Sequence, residues 1–436
     1  MKIKAPVLIC LFAVGLLSCK KKDDNNQTPG PDPNPNKLIN TSHLDHLYTP
    51  VTFSTGTQAA GVFIYSEAPD YRLVGDDDEG YMCVDDVARA AQVYLRSSKF
   101  STDTAVQSKV YNLINFILEM QSSNGYFYNF LFTGNEINKF GPTSRNVADW
   151  WSWRALYTLS EASPVVKVKN AELSIKIDQA ILKLVSRIKA DLVNIPQTTK
   201  VVSGITVPEW LPVGSGTDQA AIMILGLIPY CISSNDEVMK DYVKKLADGI
   251  SIMQQGDATQ FPYSCFLSWE NTWHAYGSDQ AYALFNAGAF LNDASYTAKA
   301  MAEVDNFYPW LLTNGMRSSF IVSKPSTEVQ LVSEKRFEQI AYGIRPMVFA
   351  AIEAFKITGQ EKYADIAGKL AAWFLGANEG GQNMYSTTTG RCYDAIISPG
   401  NININSGAES TIEALLALQR VESYPLVLAA LNKYKK

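Results

Sequence analysis

The chain has little histidine, three residues in 436, and of these only His274 lies beyond the N-terminal segment. Basic blocks are missing after Lys20-Lys-Lys22, and the formal net charge is −5, so the electrostatic footprint of a nucleic-acid binder is absent. No phosphate loop, dinucleotide fingerprint or nucleophile elbow occurs, which removes the phosphate, nicotinamide and serine-hydrolase readings and leaves no cofactor indicated. No two of the six cysteines have zinc-like spacing, and the acidic run Asp76-Asp-Asp-Glu79 lacks EF-hand spacing. That run reads first as a solvated turn, and no metal is indicated. Cys83, Cys265 and Cys392 all precede inner-helix starts, so a loop-loop disulfide and buried free thiols both remain open. The longest-looking apolar stretch at the start, Pro6 to Leu17, is too short for a comfortable membrane span.

That stretch follows Lys2 and Lys4 and ends in Leu16-Leu-Ser-Cys19. It resembles a bacterial lipoprotein signal covering residues 1–18, with Cys19 lipidated after cleavage; an ordinary secretory signal is the alternative. Residues 19–37 are a charged, then Pro/Asn/Gly-rich tether that cannot build a core. Residues 38–436 form a single domain. The expectation is an outer-membrane lipoprotein of the cell envelope, open to surface display, monomeric, and touching the membrane only through its lipid.

What is present is a repeat. Asp85, Asp149, Asp218, Asp279, Arg345 and Glu409 follow one another at steps of 64, 69, 61, 66 and 64 residues. Each opens a small-residue-rich apolar run such as DDVARAAQVYL or ESTIEALLAL. This period fits one long helical hairpin plus a loop. Six hairpins closing on themselves give an all-α (α/α)6 toroid whose six inner helix starts face one cavity. Amphipathic partners lie between the inner helices, over Ala105–Gln121, Ala171–Val193, Glu237–Gln255, Ser295–Leu312, Glu361–Leu375 and Tyr424–Lys435. Inner-to-outer links are short, whereas outer-to-inner links often exceed 20 residues, so the long loops gather on one rim. Thr217 and Ser278 are expected to cap helices, and Pro346 to occupy a first helical position. Gly125 to Gly134 reads as a short hairpin, while Leu44 to Tyr81 wraps the rim or the barrel side.

The rim loops and first helical turns hold six of eight tryptophans: Trp150, Trp151, Trp153, Trp210, Trp269 and Trp273. Sugar rings pack C–H faces on aromatic planes and offer hydroxyls to carboxylates, amides and Arg, so the expected partner is a glycan. Trp153 in particular also suits a core wedge. Glycoside hydrolysis needs one carboxyl held protonated and a second, ionised one. Helix starts favour ionised carboxylates, so the base is expected from Asp85 or Glu409, with Asp279 in reserve. Glu270, in Ser268-Trp-Glu-Asn-Thr-Trp-His274, is the first choice for the acid because two tryptophans flank it. Capping explains part of the acidity, and Asp86 with Arg89 forms a local ion pair that leaves Asp85 free. Substrate contacts are expected from Tyr81, Asp86, Trp150, Trp151, Trp210, Asp218, Trp269, Trp273, His274, Arg345, Arg391 and Asp394.

The segments Gly80-Tyr-Met-Cys-Val-Asp-Asp-Val-Ala-Arg89, Gly125-Tyr-Phe-Tyr-Asn-Phe130 and Trp153-Arg-Ala-Leu-Tyr157 are similar to bacterial toroid domains found with sugar-processing proteins. Trp373-Phe-Leu-Gly-Ala-Asn378 through Asn405-Ser-Gly-Ala-Glu-Ser410 resembles inverting endoglucanase-like toroids in its rhythm. The chain therefore resembles the six-hairpin glycosidases. That likeness implies the toroid and a carbohydrate substrate, but no family residue roles transfer, because toroids host several chemistries. Three readings follow. The first is a glycoside hydrolase with paired carboxylates. The second is a polysaccharide lyase or sugar epimerase using His274, Tyr276 or Tyr393, and Arg345. The third is a non-catalytic glycan-binding lipoprotein.

Overall fold

The computed structural model describes residues 37–436. The signal segment, Cys19 and nearly all of the tether lie outside the described residues. After a short helix α1 (Ser42–Leu47), twelve further helices among the described residues alternate between an inner and an outer layer. The inner six are α2 (Val84–Leu95), α4 (Trp150–Lys167), α6 (Thr217–Ser234), α8 (Gln280–Leu291), α10 (Arg345–Thr358) and α12 (Ala408–Glu422). The outer six are α3 (Thr104–Glu119), α5 (Ala171–Asp191), α7 (Glu237–Ile252), α9 (Ala294–Asn314), α11 (Glu361–Ala371) and α13 (Pro425–Tyr434). Each inner helix packs on the next, and α12 packs back on α2, so the ring closes. This is the (α/α)6 toroid.

Burial patterns explain the two layers. In α5 the buried residues Leu173, Ile177, Ala180, Ile181, Leu184, Val185 and Ile188 repeat at helical spacing, leaving Lys and Glu outward. Burying each such Leu or Ile contributes about 1.5–3 kcal/mol. In contrast, α6 is buried almost all round, from Thr217 to Cys231. Its Gly226 lets α4 approach closely, since a Cβ there would lie 2.8 Å from the Tyr157 backbone nitrogen. Asn170 stops the chain entering α5 from fraying by accepting from the Leu173 N–H at 3.1 Å.

Short strands decorate the links that lead into the inner helices. Phe130–Phe132 pairs with Glu136–Ile137 and with Met82–Cys83, so the hairpin expected over Gly125 to Gly134 lies further on, over 130–137, with Gly134 supplying a positive φ of 92° in its turn. Tyr48–Thr52 and Gln58–Val62 form a second hairpin laid on the side of α3. Pro346 sits in the first turn of α10 as expected. Two expected caps differ. Thr217 lies inside α6, where its hydroxyl donates to the Leu267 and Ser268 carbonyls, and the Ser278 hydroxyl has no partner at all. For Thr217 the rim-loop carbonyls replace the helix as partner. The four cysteines among the described residues are buried free thiols. No single described helix is long and apolar enough to cross a membrane.

Candidate active site

The inner helices carry charge on the faces that meet at the toroid axis. Arg89 of α2 is only 2% exposed, and its Nη2 donates to Asp85 at 2.7 Å, Asp86 at 2.8 Å and Glu409 at 3.2 Å. Its Nη1 donates to Glu413 at 2.7 Å. Arg345 of α10 donates through Nε to the other Glu413 oxygen at 2.6 Å, and through Nη1 and Nη2 to both Asp279 oxygens at 2.6 and 3.1 Å. Arg154 of α4 donates to Asp85 at 3.2 Å and to the Tyr342 hydroxyl. The Tyr342 ring lies among all three guanidiniums, whose carbons stand 4.9 to 5.4 Å from its centroid. Cation–π attraction and shared carboxylates thus tie α2, α4, α8, α10 and α12 together at one point.

Three guanidiniums here face five carboxyls. Burial would push Glu413 up, but Arg345, Arg89 and Arg154 outweigh it and bring it down to about 2. Asp86 is pushed up to about 6 by burial, with Arg89 only partly opposing. Glu409 is pushed up to about 7 first by the desolvating protein packed round its carboxyl at the cleft floor, even with part of the side chain facing the cleft, against Arg89 and with help from the neighbouring carboxylates. The two surplus carboxyls are therefore those that take up protons near neutrality.

Above this cluster opens a cleft of about 410 Å³. Tyr65, Trp150 and Trp151 give it aromatic surface, Asn129, Thr143 and Glu79 give it polar groups, and the Arg89 cluster is its floor. Glu409 is the floor carboxyl most open to an occupant, with 44% of its side chain exposed against 23% for Asp85 and 9% for Asp86. Its helix start is pinned by Asp394, whose Oδ1 accepts from the Gly407 N–H at 2.8 Å and the Ser410 hydroxyl at 2.6 Å. Trp150 is held against Gly277, where a Cβ would meet the indole at 2.8 Å. Trp151 donates its indole N–H to the Phe127 carbonyl at 2.7 Å.

The expected residues divide clearly. Asp85, Asp86, Trp150, Trp151 and Glu409 line the cleft together. Asp85 is not left free beside an Asp86–Arg89 pair, because Arg89 holds both carboxylates and Arg154 adds a third contact. Asp279 and Arg345 are buried against each other, so Arg345 has no guanidinium edge left to read a substrate. Of the acidic helix starts, only Asp149 and Asp218 accept a backbone N–H of their own helix, from Trp150 and Gln219.

Elsewhere on the rim, Glu270 sits at a turn tip with φ 47° and pairs with Lys200 at 2.8 Å. Of its flanking tryptophans, Trp269 is exposed and Trp273 is buried in a stack on Phe320. Trp210 is a buried wedge donating to the Lys245 carbonyl. His274 stacks on Tyr276; its Nδ1 meets the Tyr276 carbonyl at 2.5 Å and its Nε2 meets Asp218 at 3.0 Å. Both ring nitrogens thus face acceptor oxygens. Arg391 stacks over Tyr71 at 3.7 Å, and the Tyr81 hydroxyl donates to Asn135.

Sequence reasoning missed Glu413, Arg154 and Tyr342. The signal for the first two was a charge one helical turn below Glu409 and Trp150, inside apolar runs. It also passed over Glu79, the last residue of the acidic run. Among the described residues no group of three His, Cys, Asp or Glu side chains is placed to hold a metal ion. The acidic run closes on itself, with Asp76 accepting from the Asp78 and Glu79 N–H groups.

The sequence matches no family model and no curated protein. Solved structures do resemble the fold. A cellobiose 2-epimerase from Bacillus thermoamylovorans superposes with a TM-score of 0.57 at 12% identity, over 83% of this chain and 92% of its own. A D-mannose isomerase gives 0.55 at 13% identity, over 83% and 91%. A beta-arabinofuranosidase of GH127 gives 0.46 at 14% identity over 77% of this chain, which spans about half, 52%, of that longer protein. At such identities the likeness is one of fold alone, that of the (α/α)6 toroid.

Proposed function

We propose that this chain is a carbohydrate-active enzyme that moves protons on a sugar held in the rim cleft, in the manner of an epimerase or isomerase. The observation that carries this is Glu409: a carboxyl open to the cleft, pushed up to about 7, beside aromatic surface. Moving a stereocentre or a carbonyl along a sugar requires a group that takes a proton from carbon and returns it. A carboxyl poised near neutrality does both. Arg89, which already contacts Glu409, offsets the negative charge that builds on an enediolate-like species. The two structures with TM-scores above 0.5 cited above are a sugar epimerase and a sugar isomerase, and they are matched over nine-tenths of their length.

Hydrolysis by paired carboxylates is the second reading, favoured by Glu79 lining the same cleft as Glu409. Within the floor cluster an inverting pair is not available, because the bonded oxygens of Asp85, Asp86 and Glu409 all touch one Arg89 nitrogen at 3.2 Å or less. They are therefore closer together than the about 6.5–9.5 Å that an inverting pair leaves for water.

Incubating the protein with aldoses, ketoses and β-linked disaccharides in D2O separates the readings. Deuterium appearing at C2 with epimer or ketose formation, lost in Glu409→Gln, is the expected result. New reducing ends without deuterium exchange would replace it with hydrolysis, and neither signal would leave a binder. The same proposal holds the enzyme at the cell envelope through a lipid on Cys19. Palmitate labelling that survives Cys19→Ser would refute that part.

A further inference from the structure

Where the inner helices end, away from the cleft, the toroid carries a second, solvent-open cavity of about 370 Å³. Arg96, two turns beyond Arg89 along α2, lies there with Tyr157, Glu161, Tyr282, Gln419 and Arg420. We infer that this cavity is a second ligand site, and that it takes a polyhydroxylated monocarboxylate of hexose size, such as a hexuronate.

Size is the first argument, since small-molecule sites run to about 300–1,000 Å³. Charge is the second. Arg96 is matched one to one by Glu161, through bonds of 2.7 and 2.8 Å. Arg420 pairs with Glu353, but Lys356 draws on the same carboxylate, so the three groups carry one net positive charge and Arg420 is the member that lines the cavity. One positive charge is left over, and the Arg420 Nε–H is buried with no partner. An acceptor carrying negative charge answers both deficits. The Tyr282 hydroxyl feels the same field: burial would raise it, yet Arg420 and Arg96 hold it below its usual range.

The hydroxyl-rich part of the ligand follows from the rest of the wall. Asn286 and Gln419 spend their NH2 groups on the Tyr282 and Val93 carbonyls, which leaves their amide oxygens to accept from ligand hydroxyls beside the tyrosines. Pro229 breaks the α6 ladder, so the Leu225 carbonyl receives no N–H from it, and both residues border the cavity. Aromatic surface with dispersed amides, and one cationic corner, is the chemistry that receives a sugar acid.

Calorimetric titration of the full chain with D-glucuronate, and with D-glucose as the neutral control, tests this. The wild type should bind D-glucuronate at least tenfold more tightly than D-glucose. Asn286→Leu and Gln419→Leu, which orphan no charge, should each weaken it about tenfold, while Trp150→Ala in the cleft leaves it unchanged. Melting curves confirm that each variant is folded, and either of the two cavity variants suffices. No binding by the wild type, equal affinity for both sugars, or loss only in Trp150→Ala would overturn the inference.

Discussion

Glu413 bridges two arginines from the helices on either side of its own: one oxygen accepts from Arg89 at 2.7 Å, the other from Arg345 Nε at 2.6 Å. Its side chain is wholly buried, so no water substitutes for either partner. Through it α12 is locked both to α2, which closes the toroid, and to α10, its neighbour before closure. A buried charge with two buried counter-charges adds little over an apolar core, but it is costly to break.

Glu413→Gln therefore leaves two guanidiniums undercompensated and should cost about 3–5 kcal/mol in urea unfolding at pH 7. The pH dependence has a definite sign. The native value of about 2 lies below the ordinary 4.5, so the stabilisation is present above 4.5 and is lost as pH falls toward 2. Acid titration should show this limb in the wild type and a flatter one in the variant. Equal acid limbs would mean that Glu413 is not the group responsible.

Glu409 behaves in the opposite sense. Its native value of about 7 exceeds the ordinary 4.5, so its contribution favours the fold below 4.5 and fades as pH rises through 7. Glu409→Gln should match the wild type at pH 4 and be the more stable of the two at pH 8. Its kcat should fall by about a thousandfold, within the usual worth of general acid–base catalysis. The wild-type kcat/KM profile should bend near pH 7 and the residual activity of the variant should not. A variant that keeps its activity removes Glu409 from the chemistry.

The toroid was legible because its cause is periodic. Six apolar runs at steps of 61 to 69 residues can bury themselves only by packing side by side, and the expected outer helices match α3, α5, α7, α9, α11 and α13 to within a few residues. Much of the site was harder to see, because it depends on what lies one turn below each helix start. Asp85, Arg89, Gln92 and Arg96 form one stripe of α2, and Glu409, Glu413 and Arg420 form another on α12. Glu270 shows why neighbours in sequence mislead. Trp273 turns into the core and Trp269 outward, and the positive φ at Glu270 sends its carboxyl to Lys200.

Asp394 should act on Glu409 from a distance. It accepts from Gly407 and Ser410, so it holds the turn from which Glu409 projects. Asp394→Asn keeps the shape but weakens two charge-assisted bonds, a loss of about 1–3 kcal/mol. Turnover should fall more than KM changes, and the bend near pH 7 should shift as the Glu409 carboxyl loses its fixed surroundings. A variant with lower stability and an unmoved pH profile would limit Asp394 to holding the fold.

Away from the site, Glu303 of α9 offers a clean test of burial. Its carboxyl accepts from the Phe266 N–H at 2.9 Å and from the Tyr308 hydroxyl at 3.3 Å, with no cation among its hydrogen-bond or ion-pair partners. Burial pushes it up to about 8, so the folded protein holds a proton there that the unfolded chain releases near 4.5. The sign follows: the fold is favoured fully below 4.5 and loses this contribution as pH climbs to 8. A displacement of that size corresponds to a few kcal/mol, roughly 1.4 per pH unit. Glu303→Gln keeps both acceptor contacts on its amide oxygen side only in part, yet carries no charge to bury. It should be near wild-type stability at pH 5 and clearly more stable at pH 9, measured by urea unfolding across that range. If the wild type loses nothing between pH 5 and 9 relative to the variant, Glu303 is not the alkaline weak point of the fold.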